Sequence, residues 1–255
     1  MWANTTRYTK FAYTKIASSM IQMNVGKLNR EFALLSPIQR VKRFYAYFEE
    51  KEVLFTSSFG ANSVGLLHLL SRIRPNQTVH FIDTTYHFEE TIAYKNQIAK
   101  EFGLKVVDIV PDKVDNAYSQ ETQLWKTDTN ECCNINKVEP LEKVKKNYKV
   151  WLSGLMGHQT EYRSDLPIFQ WKDGMLKFHP LIDVNEEQFH RYVNFFRLPQ
   201  HPLKPKGYDS IGCSHCTSKG CGREGRWQGQ EKSECGLHPD YFKKLLEKQE
   251  QRMAS

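Results

Sequence analysis

The stretch EVLFTSSFGANSVGLLHLL, residues 52–70, predicts the fold of this chain. It opens with a short apolar run, residues 52–56, which is typical of a buried strand. Small and polar residues follow at 57–63, and residues 64–70 then have the apolar character of a buried helix. A strand, a loop of small residues and a helix in this order indicate the first unit of an α/β sheet.

Three further apolar runs extend this pattern. They are predicted strands at residues 78–82, 105–110 and 148–152, with a predicted helix at residues 88–102. Strands that alternate with helices predict a doubly wound, mostly parallel sheet. Ligands bind such sheets outside the carboxyl ends of the strands. The polar residues that end three of the strands, Ser57, Asp83 and Ser153, are therefore expected to meet at one pocket.

Composition and charge narrow the class of protein. The 255 residues, 40% of them hydrophobic, suffice for one α/β domain with its own core. No apolar run approaches the ~18 residues of a membrane span, and residues 1–15 lack the apolar core of a secretory signal. We expect a soluble, cytoplasmic protein without a membrane partner. The net charge of +7 is scattered among acidic residues, so we expect a small anionic substrate rather than nucleic acid.

The apolar runs and the Cys-rich loops together divide the chain into three segments. Residues 1–48 look helical and amphipathic, and residues 49–200 carry the α/β pattern with the first pair of cysteines. Residues 201–255 are a cysteine-rich tail of Pro- and Gly-containing loops, ending in a charged helix predicted at 239–251. Residues 57–63 have the composition of an anion-binding turn at a helix N-terminus, although an ordinary turn with a serine N-cap is the alternative.

Five of the six cysteines fall into three placements. Cys132 and Cys133 are adjacent, Cys213 and Cys216 form a C-x-x-C, and Cys235 stands alone. In a reducing compartment, two such pairs indicate four thiolate ligands of one metal centre. Adjacent cysteines reach two irons of a cubane more easily than one tetrahedral ion, which favours a 4Fe–4S cluster. A zinc site and a pair of disulfides are the alternatives.

The isolated Cys235 is a candidate nucleophile. Arg223 and Arg226 precede it, and nearby arginines lower the pKa of a thiol and bind phosphate or sulfate. His238 is a possible proton partner, and a structural cysteine is the alternative. The pattern of residues 132–145 predicts a helix that begins at the adjacent cysteines. Lys137, one turn further along it, can face the cluster and an anionic ligand, unless it is an exposed helix lysine.

Together these motifs resemble the assimilatory adenylyl-sulfate and phosphoadenylyl-sulfate reductases over about residues 50–240. The resemblance is carried by residues 57–61, 82–84, 132–133, 137–141, 210–217, 225–227 and 234–238. The two cysteine pairs are similar to those of the branch that holds one 4Fe–4S cluster per chain and mostly uses adenylyl sulfate. The resemblance implies an adenine-nucleotide α-hydrolase-like fold, with nucleotide binding in residues 49–200.

The resemblance also implies a reaction, which belongs to sulfate assimilation and cysteine biosynthesis. The cysteine matching Cys235 attacks the sulfuryl sulfur, displaces AMP and becomes S-sulfocysteine, from which thioredoxin or glutaredoxin releases sulfite. The cluster acts by position and charge rather than by passing electrons, and the enzyme is expected to be a homo-oligomer. The residues assigned to the substrate are Ser57, Ser58, Phe59, Gly60, Asp83, Thr84, Lys137, Arg163, Arg223, Arg226 and His238.

The chain departs from the family pattern where positive charge is usual. Residues 154–160 lack both arginines of the Gly-x-Arg-Arg-x-Gln-Ser motif, although Arg163 is kept, and Asn136 replaces an arginine. Use of the 3′-phosphorylated nucleotide therefore stays open. Two further functions fit parts of the pattern: an ATP-dependent sulfurtransferase or adenylating enzyme, and a zinc-stabilised nucleic-acid-binding module.

Overall fold

The computed structural model describes residues 24–229 together with Lys232, Glu234 and Leu237. The predictions for Cys235, for His238 and for the helix at 239–251 lie outside these described residues, as does the first half of the N-terminal segment. In the part of the chain that is described, no helix is long and apolar enough to cross a membrane.

A sheet of six strands forms the centre of the described structure. The strands are β1 (Val53–Thr56), β2 (Val79–Ile82), β3 (Val106–Ile109), β4 (Val150–Leu152), β5 (Phe169–Lys172) and β6 (Met175–Phe178). The helices are α1 (Val25–Ala33), α2 (Pro37–Phe44), α3 (Val64–Ile73), α4 (Glu89–Phe102), α5 (Lys113–Glu121), α6 (Leu124–Thr127), α7 (Thr129–Cys133), α8 (Glu139–Lys145), α9 (Glu161–Ser164) and α10 (Glu186–Phe195). Single 3₁₀ turns lie at Glu50–Glu52, Gly157–Gln159, Lys204–Lys206 and Ser214–Cys216.

The strand order is β3-β2-β1-β4-β6-β5, and every neighbouring pair is parallel except the β5–β6 hairpin. The predicted mostly parallel α/β fold is therefore confirmed. The hairpin was not predicted, although its tip, Asp173-Gly174, is a common hairpin signal and both residues have positive φ. After β3 the chain crosses to the other side of β1, so the strand order reverses between β1 and β4, where such sheets open a ligand crevice.

Both faces of the central strands are buried. Val53 and Phe55 of β1 pack into the larger core, whereas Leu54 faces a second cluster with Leu141 of α8 and Trp151 of β4. This explains why the strands read as continuous apolar runs instead of alternating ones.

Helices α1 and α2 cover the β5–β6 side of the sheet. Phe32 meets Phe169 edge-on at 4.8 Å, and Phe44 stacks on Phe178 at 4.3 Å between ring centroids. Arg40 of α2 is buried and binds the carboxylate of Asp183 through Nη1 at 2.5 Å and Nη2 at 2.6 Å. The described part of the predicted N-terminal helical segment is thus part of the core.

The helix predicted to run from Cys132 to residue 145 is interrupted. α7 ends at Cys133, a π-helical turn spans Asn134–Val138, and α8 begins at Glu139. Within the turn the Glu139 N–H donates to Asn134 O, five residues back. Pro140 has no N–H to offer the carbonyl of residue 136, which favours a wider turn at this point. Such turns are frequent at functional sites.

Candidate active site

A cleft of about 410 Å³ opens at the carboxyl ends of β1 and β4. Ser57 lines it after β1, and Ser153 lines it after β4, as the sequence predicts. Asp83 lies outside this wall, and its Oδ1 accepts a hydrogen bond from Thr85 N at 2.9 Å. The cleft therefore occupies the crevice where the strand order reverses.

The loop after β1 presents small side chains and backbone to the cleft. Ser57, Ser58 and Gly60 line it, whereas the Phe59 ring is fully buried against Phe81. Phe59 N donates to Ser57 Oγ at 3.2 Å, which fixes a tight turn with a positive φ at residue 59. A Cβ on Gly60 would lie 3.0 Å from Ile211 O, so this glycine allows the C-terminal segment to approach the loop. Phe59 therefore anchors the loop rather than lining the cleft.

Helix α3 points its N-terminus at the same space. Ser63 is its N-cap residue and lines the cleft, but its side chain makes no capping hydrogen bond. The helix end therefore keeps its partial positive charge toward the cleft, which favours an anion there.

Basic side chains predominate among the described residues of the cleft wall. They are His87, Lys137, His158, Arg163, His190, Lys204, Arg223 and Arg226, against the acidic Glu186 and Asp209. A concave surface with this excess of positive charge attracts a small anion.

Arg226 is held in place by the loop that carries the C-x-x-C. Its Nε donates to Cys216 O at 3.3 Å, and its guanidinium lies 4.3 Å from the centroid of the Trp227 ring. The next peptide is also bound, because Trp227 N donates to Cys216 O at 3.2 Å. The cysteine loop and this arginine are therefore held together.

Arg163 lines the cleft but has partners within the protein. Its Nε and Nη2 donate to the carboxylate of Glu234 at 2.7 and 2.8 Å, and its Nη1 donates to Gln159. Arg223 Nη2 lies 3.4 Å from the same carboxylate. The structure thus brings two of the predicted arginines together around an acid that sequence reasoning did not single out.

Four thiols line a second, smaller void next to the cleft. They are Cys132, Cys133, Cys213 and Cys216, and none of them is in a disulfide. Thr84 Oγ1 lies 3.2 Å from Cys213 Sγ, and Lys232 Nζ donates to Cys133 Sγ at 3.5 Å. The two cysteine pairs, about eighty residues apart in the chain, therefore meet at one point, as predicted. Thr84 belongs to this void rather than to the cleft.

A buried polar network supports the first cysteine pair. Asn136 of the π-helical turn is 1% exposed; its Nδ2 donates to Ser119 Oγ at 2.8 Å and to Cys132 O at 2.9 Å. Its Oδ1 accepts a hydrogen bond from Asn116 Nδ2 at 2.7 Å. The residue that replaces a family arginine therefore fixes the cysteine helix and adds no charge to the cleft.

Aromatic rings close the outer side of the thiol void. Trp125 and His215 stack with centroids 4.1 Å apart, and Tyr86 meets both rings edge-on. An aromatic wall of this kind limits solvent access, and solvent access tunes any metal–thiolate group bound beside it.

The electrostatics of the void fit a bound, positively charged group. Burial, followed by repulsion from neighbouring thiolates, raises the pKa of Cys132 to about 11 and that of Cys216 to about 12. Four thiolates at this place would therefore need compensating cations, which the metal of a metal–thiolate group would provide. Among the described residues, no three Cys, His, Asp or Glu side chains surround a single ion position.

Lys137 and Cys213 line both cavities. The cation and one thiol therefore form the wall between the anion-attracting cleft and the four-thiol void. Cys221, to which the sequence assigned no role, is exposed.

Comparison with known proteins agrees with this arrangement. Residues 52–219, more than half of the chain, match the family model for the phosphoadenosine phosphosulfate reductase domain. An adenosine 5′-phosphosulfate reductase of Lysinibacillus sphaericus is 36% identical over 198 residues, covering 73% of this chain and 84% of that protein. One of Bacillus cereus is 37% identical over 204 residues, covering 76% of this chain and 87% of that protein.

Solved structures are similar in fold. The phosphoadenylyl-sulfate reductase of Candida auris, in a phosphate complex, superposes with a TM-score of 0.67 at 24% identity, covering 77% of this chain and 97% of that one. Yeast FAD synthetase in complex with FAD gives a TM-score of 0.52 at 14% identity, covering 80% of this chain and 73% of that one. Nucleotide enzymes with different chemistry therefore share this sheet.

Proposed function

Because the chain belongs to the phosphoadenosine phosphosulfate reductase domain family, we propose that it is an assimilatory sulfonucleotide reductase that converts adenylyl sulfate to sulfite and AMP. One observation carries the proposal: a basic, nucleotide-sized cleft at the sheet crevice shares Lys137 and Cys213 with a void lined by four thiols. An anion-binding cleft alone suits many enzymes, whereas the shared wall suits a charged nucleotide beside a metal–thiolate group.

Adenylyl sulfate is the substrate that the relatives favour. The relatives at 36 and 37% identity are named adenosine 5′-phosphosulfate reductases. The fungal phosphoadenylyl-sulfate reductase, at 24% identity, supports the fold alone. The 3′-phosphorylated nucleotide is the alternative substrate. Its additional phosphate needs a further cation in the cleft, and the assay below compares the two nucleotides directly.

The cofactor in this proposal is one 4Fe–4S cluster held by Cys132, Cys133, Cys213 and Cys216. When bound, it supplies the positive charge that four buried thiolates need and a local field at the adjoining cleft. The chain's own residues support it: Asn136 orients the Cys132 segment, and Thr84 contacts Cys213.

In the reaction, Lys137, Arg223 and Arg226 offset the negative charge of the phosphate–sulfate group. The Cys235 thiolate attacks the sulfuryl sulfur, so that an S–S bond forms, the S–O bond breaks and its electron pair leaves on the phosphate oxygen of AMP. His238 is the candidate proton partner of this step.

A dithiol protein completes the turnover. One thiolate of thioredoxin or glutaredoxin attacks Cys235 Sγ and releases sulfite, and the second thiol resolves the mixed disulfide, so the dithiol supplies two electrons. The five described cysteines are unbridged, which suits the reducing cytoplasm in which such dithiols are kept reduced. The homo-oligomeric state stays a prediction.

A sulfite-release assay tests the proposal. Anaerobically purified protein is given adenylyl sulfate or the 3′-phosphorylated nucleotide, with reduced thioredoxin in both arms. We expect sulfite and AMP from adenylyl sulfate at the higher kcat/KM. Sulfite from the phosphorylated nucleotide alone would overturn the substrate assignment, and ATP consumption without sulfite would favour an adenylating enzyme.

A further inference from the structure

Glu234, the residue before Cys235 in the chain, is only 4% exposed. Arg163 donates two hydrogen bonds to its carboxylate, and Thr160 Oγ1 donates a third at 2.8 Å. Arg223 Nη2 adds a longer contact at 3.4 Å. Burying a carboxylate is costly unless it is paired and hydrogen-bonded, so the cleft wall contains a site fitted to this one side chain.

The segment is also held on the far side of residue 235. Leu237 packs against the apolar cluster beneath the sheet that includes Leu54, Leu141 and Trp151, and it lines the cleft. An ionic contact at residue 234 and an apolar contact at residue 237 therefore bracket the proposed nucleophile in the chain.

The charge of the Glu234 carboxylate is balanced within the protein. The bidentate contact with the Arg163 guanidinium offsets it. Both partners are buried, which limits screening by solvent.

We propose that Glu234 is a positioning residue: by binding Arg163 and Thr160, its carboxylate fixes the chain at the residue before Cys235 and so positions the proposed nucleophile for the reaction. The inference rests on the proposed function. Glu234 acts through Arg163 and not on a reacting atom. Arg163, which the sequence analysis assigned to the substrate, binds Glu234 in the structure.

The test separates nucleotide binding from sulfur transfer. Cluster-loaded Glu234→Gln, Arg163→Gln and the double variant are compared with the unchanged protein. The affinity for AMP is measured by calorimetry, and the rate of SO₃ adduct formation on Cys235 is measured by mass spectrometry without dithiol. A misplacement of about 1 Å can cost about 100-fold in rate, so we expect Glu234→Gln to slow adduct formation about 10- to 100-fold, with an AMP Kd within about threefold.

The double variant tests whether Glu234 acts through Arg163. We expect it to be no slower than the slower single variant, because both substitutions break one contact. Glu234→Asp keeps the charge and shortens the side chain, and should give an intermediate rate. The exposed Glu224, earlier in the C-terminal part of the chain, provides the control, and Glu224→Gln should change neither measurement.

Several outcomes would overturn the inference. They are an adduct rate within about threefold of the unchanged protein, a parallel loss of AMP affinity, and single losses that multiply in the double variant. If Glu234→Gln does not fold, Leu237→Ala must slow adduct formation on Cys235 while the Kd for AMP stays within about threefold. If the unchanged protein forms no adduct on Cys235, the proposed function itself fails and this inference falls with it.

Discussion

The guanidinium of Arg226 occupies the space that a side chain on residue 212 would need. A Cβ on Gly212 would lie 2.3 Å from Arg226 Nη2, closer than non-bonded atoms approach. Gly212 directly precedes Cys213, and Arg226 Nε is bound to Cys216 O. The loop that carries the C-x-x-C therefore also sets the direction of one proposed anion-binding arginine.

Replacing this arginine tests its role in binding. We expect Arg226→Ala to weaken adenylyl sulfate binding about 10- to 100-fold, because a hydrogen bond to a charged group contributes about 1.5–3 kcal/mol. Calorimetry with the intact nucleotide measures the affinity. Arg191→Ala, which removes an exposed arginine in a 3.7 Å surface ion pair, is the control and should have no effect. A lower melting temperature with unchanged affinity would mean that Arg226 is structural.

Displacing Arg226 with a side chain at residue 212 should affect nucleotide binding in the same way as removing Arg226. Gly212→Ala forces the guanidinium away from its position, so we expect about a tenfold loss of nucleotide affinity with iron content unchanged. Combined with Arg226→Ala, it should add little, because both changes act on the same contact. Unchanged affinity in Gly212→Ala, or loss of iron, would contradict this account of the loop.

The four-thiol void predicts which cysteines retain iron. Cys133→Ser and Cys213→Ser should each lower the iron content well below about four per chain and lower the melting temperature, since each removes a cluster ligand. Iron and sulfide analysis after anaerobic purification measures the effect. The exposed Cys221 supplies the control, because Cys221→Ser should keep all the iron. Full iron in either ligand variant would refute the assignment.

His201 predicts a pH dependence of stability. Its ring is fully buried, its Nδ1 accepts from Leu203 N, and burial lowers its pKa to about 4. Between about pH 6.5 and 4 the unfolded chain binds a proton that the folded chain does not, so the free energy of unfolding falls as the pH falls.

The variant His201→Gln should remove this contribution. We expect its free energy of unfolding to change less steeply between pH 6.5 and 4.5, by about 1 kcal/mol per pH unit. Urea unfolding at several pH values measures the slope, and the exposed His190→Gln serves as the comparison. An identical slope in His201→Gln and the unchanged protein would show that His201 is not buried in its neutral form.

The sequence predicted features that depend on local pattern. Apolar runs located the first four strands, and the two cysteine pairs were expected to meet, as they do around one void. The β5–β6 hairpin was overlooked because its strands lie among charged residues, even though Asp173-Gly174 carried a usable signal.

Features that depend on distant partners could not be predicted in this way. Glu234 looks like any charged residue until Arg163, 71 residues away, is seen beside it. Asn136 looked like a lost positive charge, because nothing local indicates its burial beneath Ser119 and Cys132. The π-helical turn has one local cause, Pro140, but a proline early in a helix is also common in ordinary helices.

The most direct test of the central claim is the mass of the protein after one exposure to adenylyl sulfate without any dithiol. Four thiols held on iron and one working thiol predict a single adduct of about 80 Da, the mass of SO₃, on the peptide that contains Cys235. Cys235→Ser should abolish the adduct while keeping iron and AMP binding. An adduct on any other cysteine, or sulfite release by Cys235→Ser, would contradict the account.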